Sequence, residues 1–398
     1  MTIKPIFWEM IILPNSFAHD KLLLLRSLLQ SPLVAALADE DWPELSALLA
    51  ERYKGEALPA GNPAAACIWQ LLQESEGFFA RRAAAGPVEE ALLQAMADEL
   101  ALLQELLAAY QPPAWLNGPE AAASWLELEP RQAAGLLADF HRYNGFGRLA
   151  LHRIWRWQDE LVPVPRHDEI KISDLVGYQS QKEEVLANTR LLVEERRGNN
   201  LLLYGARGTG KSSLIKAVAN ELAAAGLCLV ELPLEYMATL PQLLQRLSDQ
   251  PRPYIIFIDD LSFEKADHSY KVTKAVLEGS VSVPGRNVLI YATSNRRHLI
   301  VENWADREGV EHHNGEVRAS DSMSEKLSLA DRFGQTVLFT TPNQEEYLQI
   351  VAALAAADGV KLPPEELRTR ALQWALWQNG CSGRTARQFV NSLQGERQ

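Results

Sequence analysis

Residues 201–214, "LLLYGARGTGKSSL", contain the signal that decides the fold. An apolar run ends at Gly205, four residues follow, and Gly210-Lys211-Ser212 opens a stretch with helical spacing. The segment fits the pattern G-x-x-x-x-G-K-[ST] in the context that this pattern needs, with a strand before the loop and a helix after it. The sequence therefore predicts a phosphate-binding loop.

Each part of this loop suits a bound polyphosphate. Glycines let the backbone turn its N–H groups inward, and the helix N-terminus adds partial positive charge. Lys211 is expected to reach the β- and γ-phosphates, and the hydroxyl of Ser212 is expected to ligate Mg²⁺. The side chains of Arg207 and Ser213 receive no separate role. The residues predicted to bind the cofactor are Gly205, Ala206, Arg207, Gly208, Thr209, Gly210, Lys211 and Ser212.

The composition limits the classes of protein to which the chain can belong. Of its 398 residues, 47% are apolar and 23% are charged, and the formal net charge is −12. This acidic balance argues against an extended nonspecific surface for nucleic acid or anionic membranes, so proteins and nucleotides are the expected partners. The three cysteines lie far apart without metal-ligand spacing, which indicates reduced thiols. We expect a cytoplasmic protein, because Glu9 interrupts the apolar start and no long apolar run follows.

The chain changes character near residue 165. Upstream, segments such as "VEEALLQAMADELALLQELLAAY" (88–110) carry apolar residues at spacings of three and four, which predicts an all-helical N-terminal domain over residues 1–165. Over residues 166–340, short β-branched runs alternate with helical stretches, the pattern of a parallel α/β sheet with crossover helices. Helical spacing returns over residues 341–398, where we expect a small helical lid. "LVPVPRHDE" (161–169) is interpreted as an extended connector.

Acidic residues follow the next buried run. In "YIIFIDDLSFE" (254–264), the apolar residues end at Asp259 and Asp260, where a parallel strand would meet the phosphate site at its carboxyl end. Asp259 is predicted to hold Mg²⁺ through its water shell. Asp260 and Glu264 are competing candidates for the acid that orients the attacking water, and the sequence leaves this choice open.

A third strand ends in polar residues, in "NVLIYATSNRRHL" (287–299). Because it follows the phosphate loop and the acidic strand, Asn295 is expected beside the γ-phosphate. An amide at this point can orient water against an acidic residue without adding charge.

The order of these segments resembles that of AAA+ ATPases: phosphate loop, "IIFIDD", "ATSN", "SLADRFG" and a helical tail with "SGRTARQF". More closely, "DLVGYQSQK", "YGARGTGKSS", "IDDLSFE", "YATSNRRHL" and "EKLSLADRFG" resemble the bacterial family called domain of unknown function 815. The resemblance covers about residues 165–395 and the lead-in "FHRYNGFGRLALHRIWRW". It implies a five-stranded parallel sheet with a helical lid, ATP and Mg²⁺ as ligands, and homo-oligomers, but it supplies no substrate.

The resemblance also implies roles for residues outside the loop. Val176 and Gly177 of "DLVGY" become part of an adenine pocket, Arg332 of "ADRFG" becomes an arginine finger, and Arg384 of "SGRTAR" becomes the sensor arginine of the lid. Arg387, one turn further on, is the alternative to Arg384. A guanidinium suits these tasks because it stays charged and can contact two phosphate oxygens at once.

Two functions of different class remain open. The first is an oligomeric ATP hydrolase that remodels a protein or nucleoprotein partner chosen by the N-terminal domain. The second is an ATP-switched binding module with slow hydrolysis, similar to helicase loaders. Tyr236 and Met237 follow the second strand without the aromatic-apolar-glycine triplet of a protein-threading pore loop, which keeps the second function open. A small-molecule kinase ranks below both. Residues 301–326, with His312 and His313, are interpreted as a mobile loop without a metal site.

Overall fold

The computed structural model describes residues 21–116, 124–261, 268–277, 285–295, 332–378 and 380–395. The chain divides into two compact units, Met1–Leu151 and His152–Gln398. Glu264 and the segment 301–326, with its pair of histidines, lie outside the described residues.

The described part of the first unit is built from helices. On its longest helix, Met96, Leu100, Leu103 and Leu107 are buried, as their spacing predicts. These side chains belong to one apolar core shared with the shorter helices. The helices are α1 (Pro32–Ala38), α2 (Trp42–Arg52), α3 (Pro63–Gln73), α4 (Phe78–Ala85), α5 (Glu90–Ala109) and α6 (Pro130–Asn144).

Two titratable side chains are buried in this helical unit. The carboxylate of Glu99 on α5 accepts the backbone N–H groups of residues 23–25 at 2.7–2.9 Å. Burial raises the pKa of Glu99, and these hydrogen bonds oppose the rise. His141 on α6 has no exposed surface, and its Nδ1 pairs with the carbonyl oxygen of Gly145 at 2.8 Å. Burial lowers the pKa of His141, because it disfavours the charged form of the imidazole.

A sheet of seven strands forms the centre of the second unit, in the order β2-β1-β4-β5-β6-β3-β7 within the described residues. Every neighbouring pair is parallel except β1 with β2. The carboxyl ends of the parallel strands therefore meet at one edge, and the phosphate loop leaves from that edge. The strands are β1 (Ile154–Trp157), β2 (Leu161–Pro163), β3 (Leu201–Gly205), β4 (Cys228–Glu231), β5 (Tyr254–Ile258), β6 (Val288–Ser294) and β7 (Gln335–Phe339).

The sheet begins earlier than the sequence indicates. Ile154 of β1 lies opposite Leu229 of β4, and Leu161 of β2 lies opposite Trp157. The second unit consequently starts before the expected boundary at 165, and part of the expected connector is an edge strand. Pro163 at the end of β2 and Pro165 just after it are typical of a connector, although an edge strand tolerates proline because one of its sides makes no ladder bonds.

Helices flank the sheet and form the lid. All residues of β5 and β6 are buried, which is typical of a parallel sheet covered on both faces. The lid has its own apolar core around Tyr347 and Phe389. This arrangement confirms the predicted α/β class with a helical lid. Among the described helices, none has the length and apolar character that a membrane span needs. The helices are α7 (Gln179–Val193), α8 (Lys211–Glu221), α9 (Leu240–Ser248) and α10 (His268–Leu277), followed by the lid helices α11 (Gln344–Ala357), α12 (Pro364–Trp377) and α13 (Gly383–Gly395).

Candidate functional site

The phosphate loop joins the end of β3 to the start of α8. Gly205 has a φ of +137°, and a Cβ at this position would lie 1.9 Å from the carbonyl oxygen of Phe339, so only glycine fits. Gly210, with a φ of +90°, turns the chain into Lys211, the first residue of α8. The N-terminus of α8 therefore faces the carboxyl edge of the sheet, where it can attract an anion.

The ammonium group of Lys211 lies within the loop, and the residue is only 6% exposed. Its Nζ donates to the carbonyl oxygens of Gly205 at 3.0 Å and Ala206 at 2.7 Å, and to Oδ1 of Asn295 at 3.3 Å. Burial lowers the pKa of this amine. The nearby carboxylates of Asp260 and Asp259 oppose this shift, but none of the three hydrogen-bond acceptors is charged, so Lys211 forms no ion pair through these bonds.

Asp259 collects three hydrogen bonds on a single carboxylate oxygen. Its Oδ1 accepts the hydroxyl groups of Ser212 and Thr293, each at 2.6 Å, and the backbone N–H of Asp260 at 3.1 Å. The carboxylate and the Ser212 hydroxyl, predicted as metal ligands, are thus in direct contact. Both are hard oxygen donors of the kind that Mg²⁺ prefers.

Thr293 is a site residue that the sequence analysis missed. It is almost fully buried at the carboxyl end of β6, and its Oγ1 donates to Asp259 and accepts the backbone N–H of Asp260 at 2.9 Å. A β-branched residue in an apolar run is typical of a strand core, which explains the omission. The only signal was the polar triplet "TSN" at the end of that run.

Asp260 and Asn295 form the second polar pair at this edge. Nδ2 of Asn295 donates to Oδ1 of Asp260 at 2.5 Å, while Oδ1 of the same amide faces Lys211. Asp260 has a φ of +52°, a left-handed conformation that a residue with a side chain rarely adopts. Such strain is concentrated at functional sites, where surrounding hydrogen bonds hold it. The structure thus brings Asp260 next to the loop, and Glu264 remains outside the described residues.

A cavity of about 690 Å³ lies over the loop. Loop residues line one end, together with Asp259, Asp260 and Asn295. The other end is more apolar and includes side chains from the segment before α7 and from the lid helix α11: Val176, Tyr178, Ile350 and Leu354. The size and this division between polar and apolar lining suit a small organic ligand that carries phosphates.

Of the two residues predicted for an adenine pocket, Val176 lines the apolar end of the cavity. Gly177, with a φ of +78°, turns the chain between Val176 and Tyr178 and is not among the described lining residues.

Two arginines of the lid line the cavity, and they differ in their partners. Arg387 forms an ion pair with Asp358 at 2.9 Å. The side chain of Arg384 is exposed, its positive charge acts on Lys211, and its backbone N–H donates to the carbonyl oxygen of Gly208 at 3.2 Å. These contacts favour Arg384 over Arg387 as the lid residue nearest the phosphate end.

Arg332 lies near the amino ends of the parallel strands, whereas the phosphate loop lies at their carboxyl ends. It precedes β7, whose first residue, Gln335, pairs with Leu201 at the start of β3, whereas Phe339 at the end of β7 pairs with Gly205. Five strand residues alone span about 13 Å. The structure therefore separates Arg332 from the phosphate loop of its own chain, while it brings the other described candidates together.

The comparison with protein families identifies the chain. The model described as "Protein of unknown function (DUF815)" matches residues 150–397. The chain belongs to this family. The match covers the sheet, the phosphate loop and the lid, and the described part of the structure has the phosphate-loop α/β architecture expected of AAA+ proteins.

Curated relatives match a shorter part of the chain. The 26S proteasome regulatory subunit 4 homolog of Saccharomyces cerevisiae is 34% identical over an alignment of 120 residues, and the match covers 26% of this chain and 28% of that protein. The ORC1-type DNA replication protein 14 of Haloarcula marismortui is 46% identical over 48 residues, 12% of this chain and 11% of the relative. The matched region thus spans less than a third of the length of these relatives.

Two solved structures are also similar to this chain. One is the RuvB Holliday junction branch migration motor of Thermotoga maritima, with 15% sequence identity and a TM-score of 0.38. The superposition covers 56% of this chain and 63% of the RuvB chain. The other is the FIGL-1 AAA domain in complex with ADP, with 20% sequence identity and a TM-score of 0.36. The superposition covers 57% of this chain and 74% of the FIGL-1 chain.

Proposed function

We propose that this protein binds and hydrolyses ATP with Mg²⁺ and acts as an oligomeric remodelling ATPase. The observation that carries the proposal is the convergence of a buried Lys211, the Ser212–Asp259 pair and the Asn295–Asp260 pair on one cavity. Lys211 would supply anion binding, the Ser212–Asp259 pair a metal site and the Asn295–Asp260 pair the orientation of water, which are three requirements of phosphoryl transfer.

The residues of the loop fit a triphosphate and its metal ion. Lys211 is a buried cation whose hydrogen bonds go to uncharged oxygens, and the N-terminus of α8 faces the same space. Ser212 and Asp259 would hold Mg²⁺, whose positive charge would offset the negative charge of the phosphates. The hydroxyl of Ser212 and the carboxylate of Asp259 are hard oxygen donors, which suit Mg²⁺ that also binds phosphate oxygens.

The Asn295–Asp260 pair would orient the attacking water. The carboxylate of Asp260 accepts a proton or a hydrogen bond, and Asn295 fixes the carboxylate without adding charge. Arg384 would stabilise the charge that develops on the phosphates from the side of the lid.

Arg332 would act on the site of a neighbouring subunit. Its position before β7 keeps it away from the nucleotide of its own chain. A trans-acting arginine is worth on the order of 10³ in rate or more. The proposal therefore includes ATP-dependent assembly of the chain with itself, with a specific activity that rises with protein concentration.

A subunit-mixing experiment tests this proposal. Arg332→Ala subunits keep an intact nucleotide site, and Lys211→Ala subunits keep an intact finger. Each variant alone should be nearly inactive, whereas a mixture should recover activity at interfaces where the intact site meets the intact finger. A wild-type protein that stays monomeric with ATP, and whose specific rate is independent of concentration, would refute assembly as the basis of hydrolysis.

The alternative function is an ATP-switched binding module with slow hydrolysis. The observation that favours it is Asp260, whose short side chain is already held by Asn295 in a left-handed backbone conformation. A single-turnover measurement separates the two functions. Remodelling requires hydrolysis to be faster than nucleotide release, whereas a switch retains ATP for long periods and binds its partner in that state. The same assay with single-stranded DNA tests for a nucleoprotein partner.

A further inference from the structure

Side chains of the helix α7 form hydrogen bonds with the last strand at one side of the described sheet. β7 is an edge strand that pairs with β3. Tyr178, which directly precedes α7, bonds to Thr340, the residue after β7, and Gln181 and Glu184 on α7 bond to residues of β7. These contacts, named the edge contacts below, are the hydroxyl of Tyr178 to the carbonyl oxygen of Thr340 (2.7 Å), Nε2 of Gln181 to the carbonyl oxygen of Leu338 (3.0 Å), and Nε2 of Gln335 to Oε1 of Glu184 (2.6 Å).

At one end, the edge contacts reach the cavity. Tyr178 lines its apolar side, and the ring of Tyr178 packs 5.1 Å from the ring of Phe339, centroid to centroid. Thr340 follows β7 directly and leads into the lid, which begins at Gln344. A ligand in the cavity therefore lies next to the first edge contact.

At the other end, α7 reaches the turn that carries Arg332. Asn188, buried on α7, donates to the carbonyl oxygen of Asn199 and accepts its N–H, both at 2.9 Å. Asn199 in turn lies against Gly334, where a Cβ would come within 2.8 Å of the amide oxygen. Gln335, the partner of Glu184, is only three residues from Arg332. The turn is thus held from two directions by one helix.

From this arrangement we infer that α7 positions Arg332 relative to the cavity of its own chain. The inference rests on the proposed function, because the position of Arg332 affects hydrolysis only if this residue acts at a neighbouring site. Gln181 and Glu184 are then positioning residues. They are not among the described residues that line the cavity, and they bond to the short strand that joins the cavity to the turn with Arg332. A single helix with hydrogen bonds at both ends is a contiguous path by which one site can bias the next.

The mixing experiment shows whether the edge contacts act on the finger or on the nucleotide site of their own subunit. The double change Gln181→Ala with Glu184→Ala is introduced first into the Lys211→Ala subunit, which donates only the finger. It is then introduced into the Arg332→Ala subunit, which donates only the nucleotide site. We expect the recovered activity to fall about fivefold or more in the first mixture and to change by less than about twofold in the second.

The control is a chemically similar pair on the same helix. Gln179 donates to Glu183 at 2.7 Å, and both side chains are exposed. Changing this pair to alanine in either subunit should leave the recovered activity unchanged. Light scattering with ATP checks that all mixtures assemble to the same extent.

Three results would overturn the inference. An equal loss in both mixtures would mean that the edge contacts only stabilise the subunit. No loss in either would mean that they do not position Arg332. If the parent mixture recovers no activity, the trans-acting finger of the proposed function fails first, and the inference fails with it.

Discussion

Replacement of Thr293 by valine tests whether a buried hydroxyl organises the metal site. Valine keeps the shape and the β-branch of threonine, so the packing at the end of β6 should persist. The change removes the donor to Asp259 at 2.6 Å and the acceptor of the Asp260 N–H at 2.9 Å. A hydrogen bond to a charged group contributes about 1.5–3 kcal/mol.

The expected effect follows from where these bonds lie. Asp259 keeps its contact with Ser212, but its carboxylate can rotate, and the strained backbone of Asp260 loses one of its supports. If this free energy is needed in the transition state, kcat should fall about 10- to 100-fold. Binding of ADP without Mg²⁺ should change little, because Lys211 and the loop are untouched.

Steady-state kinetics over a range of Mg²⁺ concentrations, with calorimetry of ADP binding, measure both quantities. Thr293→Ser is the matched control, because it keeps the hydroxyl and should retain most of the activity. A Thr293→Val variant with the kcat and the Mg²⁺ dependence of the wild type would show that the hydroxyl has no part in organising the site.

Three further predictions concern other residues. Lys211→Ala should abolish ATP binding, whereas Asp259→Asn should impair Mg²⁺-dependent turnover more than binding; calorimetry and rate measurements on both variants would contradict this if Lys211→Ala bound ATP normally. Asp260→Asn should trap bound ATP while Glu264→Gln stays active, and a filter-binding chase that gives the reverse would assign the role to Glu264. Since burial lowers the pKa of His141, the stability that its neutral form provides is present above pH 6.5, the pKa of an ordinary histidine, and is lost as pH falls through the lower pKa of the folded state. Thermal unfolding from pH 7.5 to 5 should show a shallower loss of stability for His141→Gln, and parallel curves would exclude this histidine as the cause.

The sequence predicts best the residues whose position follows from a local pattern. The phosphate loop is recognisable because strand, glycines, lysine and helix follow one another within fourteen residues. Asp259 directly follows a run of apolar residues, and Asn295 is the last residue of the polar triplet that ends another such run. Because parallel strands end at one edge of the sheet, both positions follow from the pattern. The register of β5, β6 and β3 then brings these residues together, as Ile258 pairs with Ala292 and Tyr204 with Ser294.

Features that depend on distant pairing were not predictable in the same way. β1 joins the sheet through β4, which follows it only after the phosphate loop and α8. Nothing in "RIWRWQDELVPVP" alone distinguishes a strand pair from a connector with buried aromatic residues. The edge contacts of α7 are equally hidden, because Gln181 and Glu184 look like ordinary polar residues of an amphipathic helix until β7 lies beside them.

The lid adds positive groups to the phosphate end of the cavity. α8 begins at Lys211, and α13 begins at Gly383, where the N–H of Arg384 meets the carbonyl oxygen of Gly208. Two helix N-termini, each equivalent to about half a positive charge, and two side-chain cations therefore converge on the phosphate end. Movement of the lid away from the loop would remove one member of each kind. It would also remove the side chains of α11 from the apolar end of the cavity. A nucleotide would lose contacts at both of its ends if the lid moved away. Its binding would therefore favour the closed lid over the open lid by the difference between its affinities for the two states. The position of the lid would then depend on whether the cavity is occupied.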